Sequence, residues 1–94
     1  MFIVLLRIVD GTKAGEHMDG HKAWIARGFD DGVFLLAGSL RPDRGGGILA
    51  HDTSLPDLQA RVNDDPFVAE HVATAEIIEL DPARADDRLR VLLD

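Results

Sequence analysis

The sequence predicts an α+β fold, a ferredoxin-like β-α-β-β-α-β plait with one antiparallel sheet. Four apolar runs rich in β-branched and aromatic residues predict strands at 2–9, 33–40, 47–51 and 72–80. Helical patterns separate the first run from the second and the third from the fourth, whereas a turn-rich segment, 41–46, joins the middle two as a hairpin. A chain of 94 residues is long enough for one such domain.

The first strand is apolar at adjacent positions, so we expect it to be buried on both faces, or on one face and at an interface. After a loop over 13–19, Asp19 is the predicted N-cap of the first helix, and Asp31-Gly32 the predicted stop. One face of this helix would carry Trp24, Ile25, Ala26 and Phe29. Gly28 within the helix indicates close packing against a neighbouring element.

Two local signals predict the helices of the second half. Ser54 is a predicted N-cap, with Asp57 three residues later, and Leu58 and Val62 follow on one face. Asp65-Pro66 begins another short helix or turn, because Asp caps well and Pro suits the first helical position.

We expect a domain over 1–82 and a C-terminal extension over 83–94, which forms a short helix or an arm reaching a partner chain. The two helices of a plait cover one sheet face, yet the strands 2–9 and 33–40 are apolar on both. A second copy packed sheet against sheet would cover the other face, so the sequence predicts a homodimer.

Composition excludes several classes of protein. The chain has no cysteine, which rules out disulfides, cysteine-ligated metals and thiol nucleophiles. A net charge of −7 without a basic cluster disfavours nucleic acid and anionic membranes as partners. We also expect no signal peptide, no membrane span, no cofactor and a cytoplasmic location. His17 and His21 are four residues apart, but the loop predicted at His17 argues against a metal site.

From the residues alone, His21 and Asp65 each have two interpretations. His21 would lie in the first turn of its helix, where the helix dipole favours the neutral imidazole and so a general base. It would otherwise be a polar residue in water. Asp65 is an N-cap, and a capping carboxylate can at the same time hold an imidazole in one tautomer.

Other residues carry weaker signals. Gly45-Gly46-Gly47 is followed by a strand rather than a helix, which favours a hairpin turn over a phosphate loop. Ser39 ends a strand, where it can line a pocket. The arginines Arg7, Arg41 and Arg44 are candidates for binding a carboxylate or are surface charges.

The chain resembles the YciI-like family, whose members carry the YCII-related domain. The resemblance rests on His21 followed by Gly32, on the strand ending Ala37-Gly38, and on Asp65-Pro66-Phe67. It extends over residues 1 to about 82, in the family's order and spacing. Ser39 replaces the usual Pro, and Glu70-His71 replaces a common Gly, so Ser39 and His71 join Arg7 as substrate-binding candidates.

The resemblance implies a dimeric α+β barrel with His21 and Asp65 at an active site. Related barrels include muconolactone isomerases and a dehydrochlorinase acting on a chlorinated ring. The first hypothesis is therefore a cofactor-independent isomerase or lyase in which His21 is the general acid/base and Asp65 orients it. The second is a non-catalytic module that binds a small molecule or serves as a dimer scaffold. An open cavity with one imidazole nitrogen unbonded would favour the enzyme.

Overall fold

A computed structural model describes residues 1–42 and 45–93 and shows a four-stranded antiparallel sheet with three α-helices. The strands are β1 (Phe2–Ile8), β2 (Phe34–Ser39), β3 (Gly45–Ala50) and β4 (Ala73–Glu79). The α-helices are α1 (Ala14–Asp30), α2 (Leu55–Asn63) and α3 (Pro66–Ala69), and 3-10 helices cover Gly11–Lys13 and Asp87–Leu93. The strand order, β2-β3-β1-β4, confirms the α+β ferredoxin-like plait.

Alternation along the central strand β1 separates the two faces of the sheet. Phe2, Val4 and Leu6 are buried under the helices, in one core with Trp24. Their neighbours in β1 point the other way, because successive side chains of a strand alternate. The helices therefore cover one face, and the opposite face is left to Ile3, Leu5, Arg7 and their cross-strand partners; we term it the open face.

A row of aliphatic side chains crosses the open face. Ile3 pairs with Leu49 of β3 and with Ile78 of β4, and Leu36 of β2 pairs with Leu49. Paired residues of antiparallel strands project to the same side, so these four side chains share one surface. Leu36 is 64 % exposed and Ile78 41 % in the single chain. An apolar row of this kind is typical of a surface that another protein covers.

Helix α1 begins five residues before the predicted N-cap, Asp19, so that expectation is wrong. The Thr12 hydroxyl and backbone N–H donate to Asp10, which lowers the pKa of the Asp10 carboxyl, and the 3-10 turn there continues directly into α1. Met18 then packs against the second core cluster, around Phe67. Burial of this first part of α1 outweighs the cost of about 1 kcal/mol for a helical glycine.

The later helix signals are confirmed. Ser54 accepts the backbone N–H of Asp57 at 3.2 Å and caps α2, whose Leu58 and Val62 are fully buried. Gly32 ends α1 with φ +74°, and its N–H donates to the Phe29 carbonyl.

The hairpin differs in detail from the expectation, whereas the 3-10 helix over Asp87–Leu93 agrees with the short C-terminal helix, one of the two forms expected there. Gly45-Gly46-Gly47 belongs to β3 rather than to a turn, because it pairs with β1 and, through Gly46 and Gly47, with β2. Asp43 and Arg44, in the predicted turn, lie outside the described residues. None of the residues Asp87–Leu93 is buried. Within the described part of the chain, no helix is long and apolar enough to cross a membrane.

Gly28 lies where α1 crosses the sheet, and the predicted close packing is confirmed. A Cβ at this position would overlap the ring of Phe34, which is itself buried and packs edge-on against Trp24 with centroids 5.2 Å apart. Because the ring has no room to move, any side chain at Gly28 pushes the helix away from the sheet.

We expect Gly28→Ala to lower the free energy of unfolding by about 1–3 kcal/mol through overpacking. Gly15, in the same helix, is the matched control, because no described atom beyond its own stretch of helix lies within 4 Å of a Cβ built there. Gly15→Ala should leave stability equal or slightly higher, since alanine favours helix. Urea unfolding of both variants measures the difference, and equal effects would contradict the packing argument.

Candidate active site

His21 and Asp65 are brought together by α1 and the start of α3. Asp65 precedes Pro66 with extended backbone (φ −61°, ψ 123°), and its Oδ1 accepts the backbone N–H of Phe67 at 3.0 Å. His21 faces this cap from the third turn of α1, and its Nδ1 lies 2.8 Å from the same Oδ1. One carboxylate oxygen therefore both caps a helix and holds an imidazole.

Glycine makes the approach of α1 to α3 possible. A Cβ at Gly20 would lie 3.1 Å from Cγ of Pro66, so the backbone of α1 passes directly over the first residue of α3. His21 is the next residue along α1. The close crossing thus brings its imidazole within hydrogen-bond distance of Asp65.

Burial constrains the pair strongly. Asp65 is 0 % exposed, and the His21 side chain is 13 % exposed. The second oxygen of Asp65, Oδ2, is buried and has no hydrogen-bond partner among the described residues. A buried carboxylate with one unpartnered oxygen depends on the His21 hydrogen bond for compensation.

An aromatic stack fixes the plane of the imidazole. The rings of His21 and Phe67 are parallel within 2°, with centroids 4.1 Å apart. Trp24 lies farther from the imidazole, at 6.0 Å, and its Nε1–H donates to the Arg61 carbonyl at 2.8 Å. Phe67 therefore contacts both members of the pair, with its N–H on Asp65 and its ring on His21.

The hydrogen bond also defines the tautomer of His21. An ionised carboxylate only accepts hydrogen bonds, so the proton of a neutral imidazole lies on Nδ1 and the lone pair on Nε2. Nε2 has no hydrogen-bond partner within residues 1–42 and 45–93. This nitrogen can accept a proton from a bound molecule and return it.

His21 lines a cavity of about 380 Å³ between α1 and the helix-covered face of the sheet. Its walls come from α1, the ends of β1 and β2, the glycines of β3, and Phe67. Most of these residues are apolar, and the side chains of His21, Lys22 and Ser39 supply polar groups. The cavity therefore combines a mostly apolar wall with a histidine whose Nε2 has no hydrogen-bond partner among the described residues and can take part in proton transfer.

The predicted site residues divide into two groups. His21 and Ser39 line this cavity, with Asp65 directly behind His21. Arg7 is exposed, and it projects to the open face, away from the cavity. His71 is exposed with φ +60° and is not among the described lining residues.

The expected placement of His21 in the first helical turn is wrong, because α1 begins at Ala14. The N-terminus of α1 therefore lies about two turns away from His21, and Asp65 and Phe67 are the immediate surroundings of its ring. His17 lies in the helix rather than in a loop. In the described part of the chain, no three His, Asp or Glu side chains are grouped to hold a metal ion.

Sequence reasoning missed Lys22 and gave no role to the ring of Phe67. Lys22 follows His21 directly and lines the same cavity. Its position depends on how α1 is rotated against the sheet, which the apolar pattern of the helix specifies only coarsely. Phe67 was visible in the motif, but its stack on His21 joins residues far apart in sequence.

No family model and no curated protein sequence matches this chain. Among solved structures, the chain is similar to 5-chloro-2-hydroxyhydroquinone dehydrochlorinase from Burkholderia phenoliruptrix AC1100, in complex with 2,5-dihydroxybenzoquinone. The TM-score is 0.63 at 13 % sequence identity, and the match covers 85 % of this chain and 93 % of that one. At this identity the similarity shows a shared α+β fold.

Proposed function

We propose that this chain is a cofactor-independent enzyme of the YciI-like type that performs acid/base chemistry on a small organic molecule. His21 is the general acid/base, and Asp65 orients it. The observation that carries the proposal is the bonding of His21: Nδ1 is held by a buried carboxylate while the ring lines a cavity. Nε2 has no partner among the described residues, the arrangement expected for an enzyme rather than a binding module.

The reaction that fits is removal of a proton from a carbon beside a carbonyl group. Nε2 takes the proton, and the C–H electron pair forms the enolate. In an elimination, the enolate electrons form a C=C bond and a leaving group such as chloride departs with its electron pair. In an isomerisation, Nε2 returns the proton to a different carbon. Asp65 compensates the positive imidazole that exists between the two steps.

The fold similarity supports this reaction class. The neighbour is a dehydrochlorinase, and its complex contains a ring compound with oxygen substituents. The cavity volume of about 380 Å³ lies toward the lower end of the range of about 300–1,000 Å³ for small-molecule sites. A molecule of one ring matches both observations.

Hydrogen–deuterium exchange tests the function across several classes of candidate substrate. Cyclic enones, lactones and halogenated hydroxyquinones are incubated with the protein in D₂O, and ¹H NMR follows loss of the acidic C–H signal. We expect exchange, isomerisation or halide release for at least one compound. Binding without any of these changes would favour the non-catalytic module.

We further propose that two copies form a homodimer through the open face, as in a dimeric α+β barrel. The apolar row there consists of Ile3, Leu36, Leu49 and Ile78. Leu36 is the most exposed of the large hydrophobic residues that the structure describes. Covering such a row removes apolar surface from water at about 25 cal/mol per Å². A second copy presents the same row, so a two-fold arrangement is self-complementary.

Sedimentation measures the predicted dimer. We expect the wild-type protein to sediment at about twice 10.3 kDa at micromolar concentration. Leu36→Asp should shift it to the monomer, because it places a charge in the row. Leu55→Asp is the control, since Leu55 is 45 % exposed in α2, away from the open face. A monomeric wild type would contradict the proposal.

A further inference from the structure

Apart from His21, the one ionisable side chain among the described residues that line the cavity is a lysine, although the chain as a whole is acidic. The sequence has 17 acidic and 10 basic residues. Yet the described residues that line the cavity include no Asp or Glu, and Lys22 is their one Lys or Arg side chain. No carboxylate within the described residues pairs with the Lys22 ammonium. The Asp65 carboxylate is fully buried behind His21, so Lys22 is the charged group that an anion meets at the wall of this cavity.

The shape of the cavity limits the anion to a small molecule. Gly46 belongs to the helix-covered face, because it pairs with Leu6 and Ser39. Among the described residues other than its chain neighbours, only the Gly38 carbonyl oxygen lies within 4 Å of a Cβ built on Gly46, at 3.3 Å, so the missing side chain leaves open space. Leu6, Ile48 and Phe67 add apolar surface around this space. An apolar ring suits such a wall.

A second groove, of about 470 Å³, shows the contrast. Its charged lining residues are three aspartates and two arginines, namely Asp52, Asp57, Asp64, Arg27 and Arg61. Arg61 is already paired, with its Nη2 2.9 Å from Oδ2 of Asp31. An anion entering this groove meets three carboxylates, so the cavity beside His21 is the better anion site.

We propose that the molecule bound beside His21 is a monocyclic organic anion, a single ring with one carboxylate or enolate group that pairs with Lys22. This deepens the proposed function, because it names the substrate class of the same cavity. The ring lies against the apolar wall, and the Ser39 hydroxyl supplies a further donor for the anionic oxygen. Lys22 then favours negatively charged ligands, while His21 accepts and returns the proton.

Two ligands of the same shape separate charge from size. Benzoate and benzamide share one ring and differ in charge at neutral pH. Calorimetry measures the affinity of both for the wild type, for Lys22→Gln and for Lys13→Gln. Lys13 is the matched control, because it is the other lysine of the chain and does not line the cavity.

We expect the wild type to bind benzoate about tenfold more tightly than benzamide, a typical effect of a charge-assisted contact. Lys22→Gln should remove this preference while leaving benzamide binding unchanged, and Lys13→Gln should retain it. Equal affinity for both ligands in the wild type would overturn the proposal. A preference that survives Lys22→Gln, or no binding of either ring at millimolar concentration, would overturn it as well.

Further variants locate the binding. Gly46→Val fills the open space and should abolish binding of both rings, and Ala37→Leu does the same if Gly46→Val fails to fold. Binding that persists in both folded variants places the ring elsewhere and overturns the proposal.

The benzoate preference should persist in His21→Gln, because charge pairing does not use the imidazole. If His21→Gln loses exchange activity but keeps the benzoate preference, His21 is needed for the chemistry and not for the charge selection. If the wild type exchanges protons without preferring benzoate, the proposed substrate class is wrong while the proposed function stands.

Discussion

Replacing His21 with glutamine is expected to reduce the rate of proton exchange on a substrate by about 10²–10⁴-fold, the usual contribution of a positioned acid/base. Glutamine can still donate a hydrogen bond to Asp65 through its amide, but it has no basic nitrogen to take a proton. The fold should therefore be kept while the chemistry is lost. Exchange measured by ¹H NMR in D₂O on the best compound of the screen gives the ratio of rates.

His17 offers the control for this measurement. It lies four residues earlier in α1, is only partly buried, and is not among the residues that line the cavity. His17→Gln makes the same chemical change on the same helix, and we expect it to leave the exchange rate within a factor of about two. If His21→Gln retained the wild-type rate with an unchanged circular dichroism spectrum, His21 would not be the base.

Replacing Asp65 with alanine is expected to lower the free energy of unfolding by about 2.5–4 kcal/mol. The lost N-cap accounts for about 1 kcal/mol. The lost hydrogen bond to His21, buried and between ionisable groups, contributes about 1.5–3 kcal/mol. Asp65→Asn should cost about 1 kcal/mol or less, because asparagine also caps well and its Oδ1 can accept from both Phe67 and His21.

Ser54→Ala isolates the capping contribution. Ser54 caps α2 through the Asp57 N–H in the same way but is solvent-exposed and holds no imidazole. Its loss should cost about 1 kcal/mol, so the excess for Asp65→Ala measures the pairing with His21. Urea unfolding gives all three values. Equal losses for Ser54→Ala and Asp65→Ala would mean that the pairing adds nothing to stability.

Local chemistry explains why the sequence predicted so much of the fold. N-caps and helix stops depend on a few neighbouring residues, and Ser54, Asp65 and Gly32 each act where the sequence places them. The order of strands and helices follows from alternating apolar runs in the same way. These local features suffice to predict the ferredoxin-like plait.

The errors lie where long-range packing outweighs a local signal. Gly15, Gly20 and the polar residues between them predicted a loop, yet α1 runs through them because Met18 packs onto the cluster around Phe67. Gly45-Gly46-Gly47 has turn composition, but two neighbouring strands pair with it and hold it extended. In both places tertiary contacts supply the stability that the local sequence lacks.

The sequence by itself determined the plait, the N-caps of α2 and α3, the end of α1, and the two residues, His21 and Asp65, that are candidates for chemistry. Only the tertiary structure decided which side chains share a cavity. His21 and Lys22 reach it because α1 crosses close to Pro66, whereas Arg7 does not, since it alternates with the buried residues of β1. Sequence patterns report which face of an element is apolar, but a cavity depends on how several elements pack together.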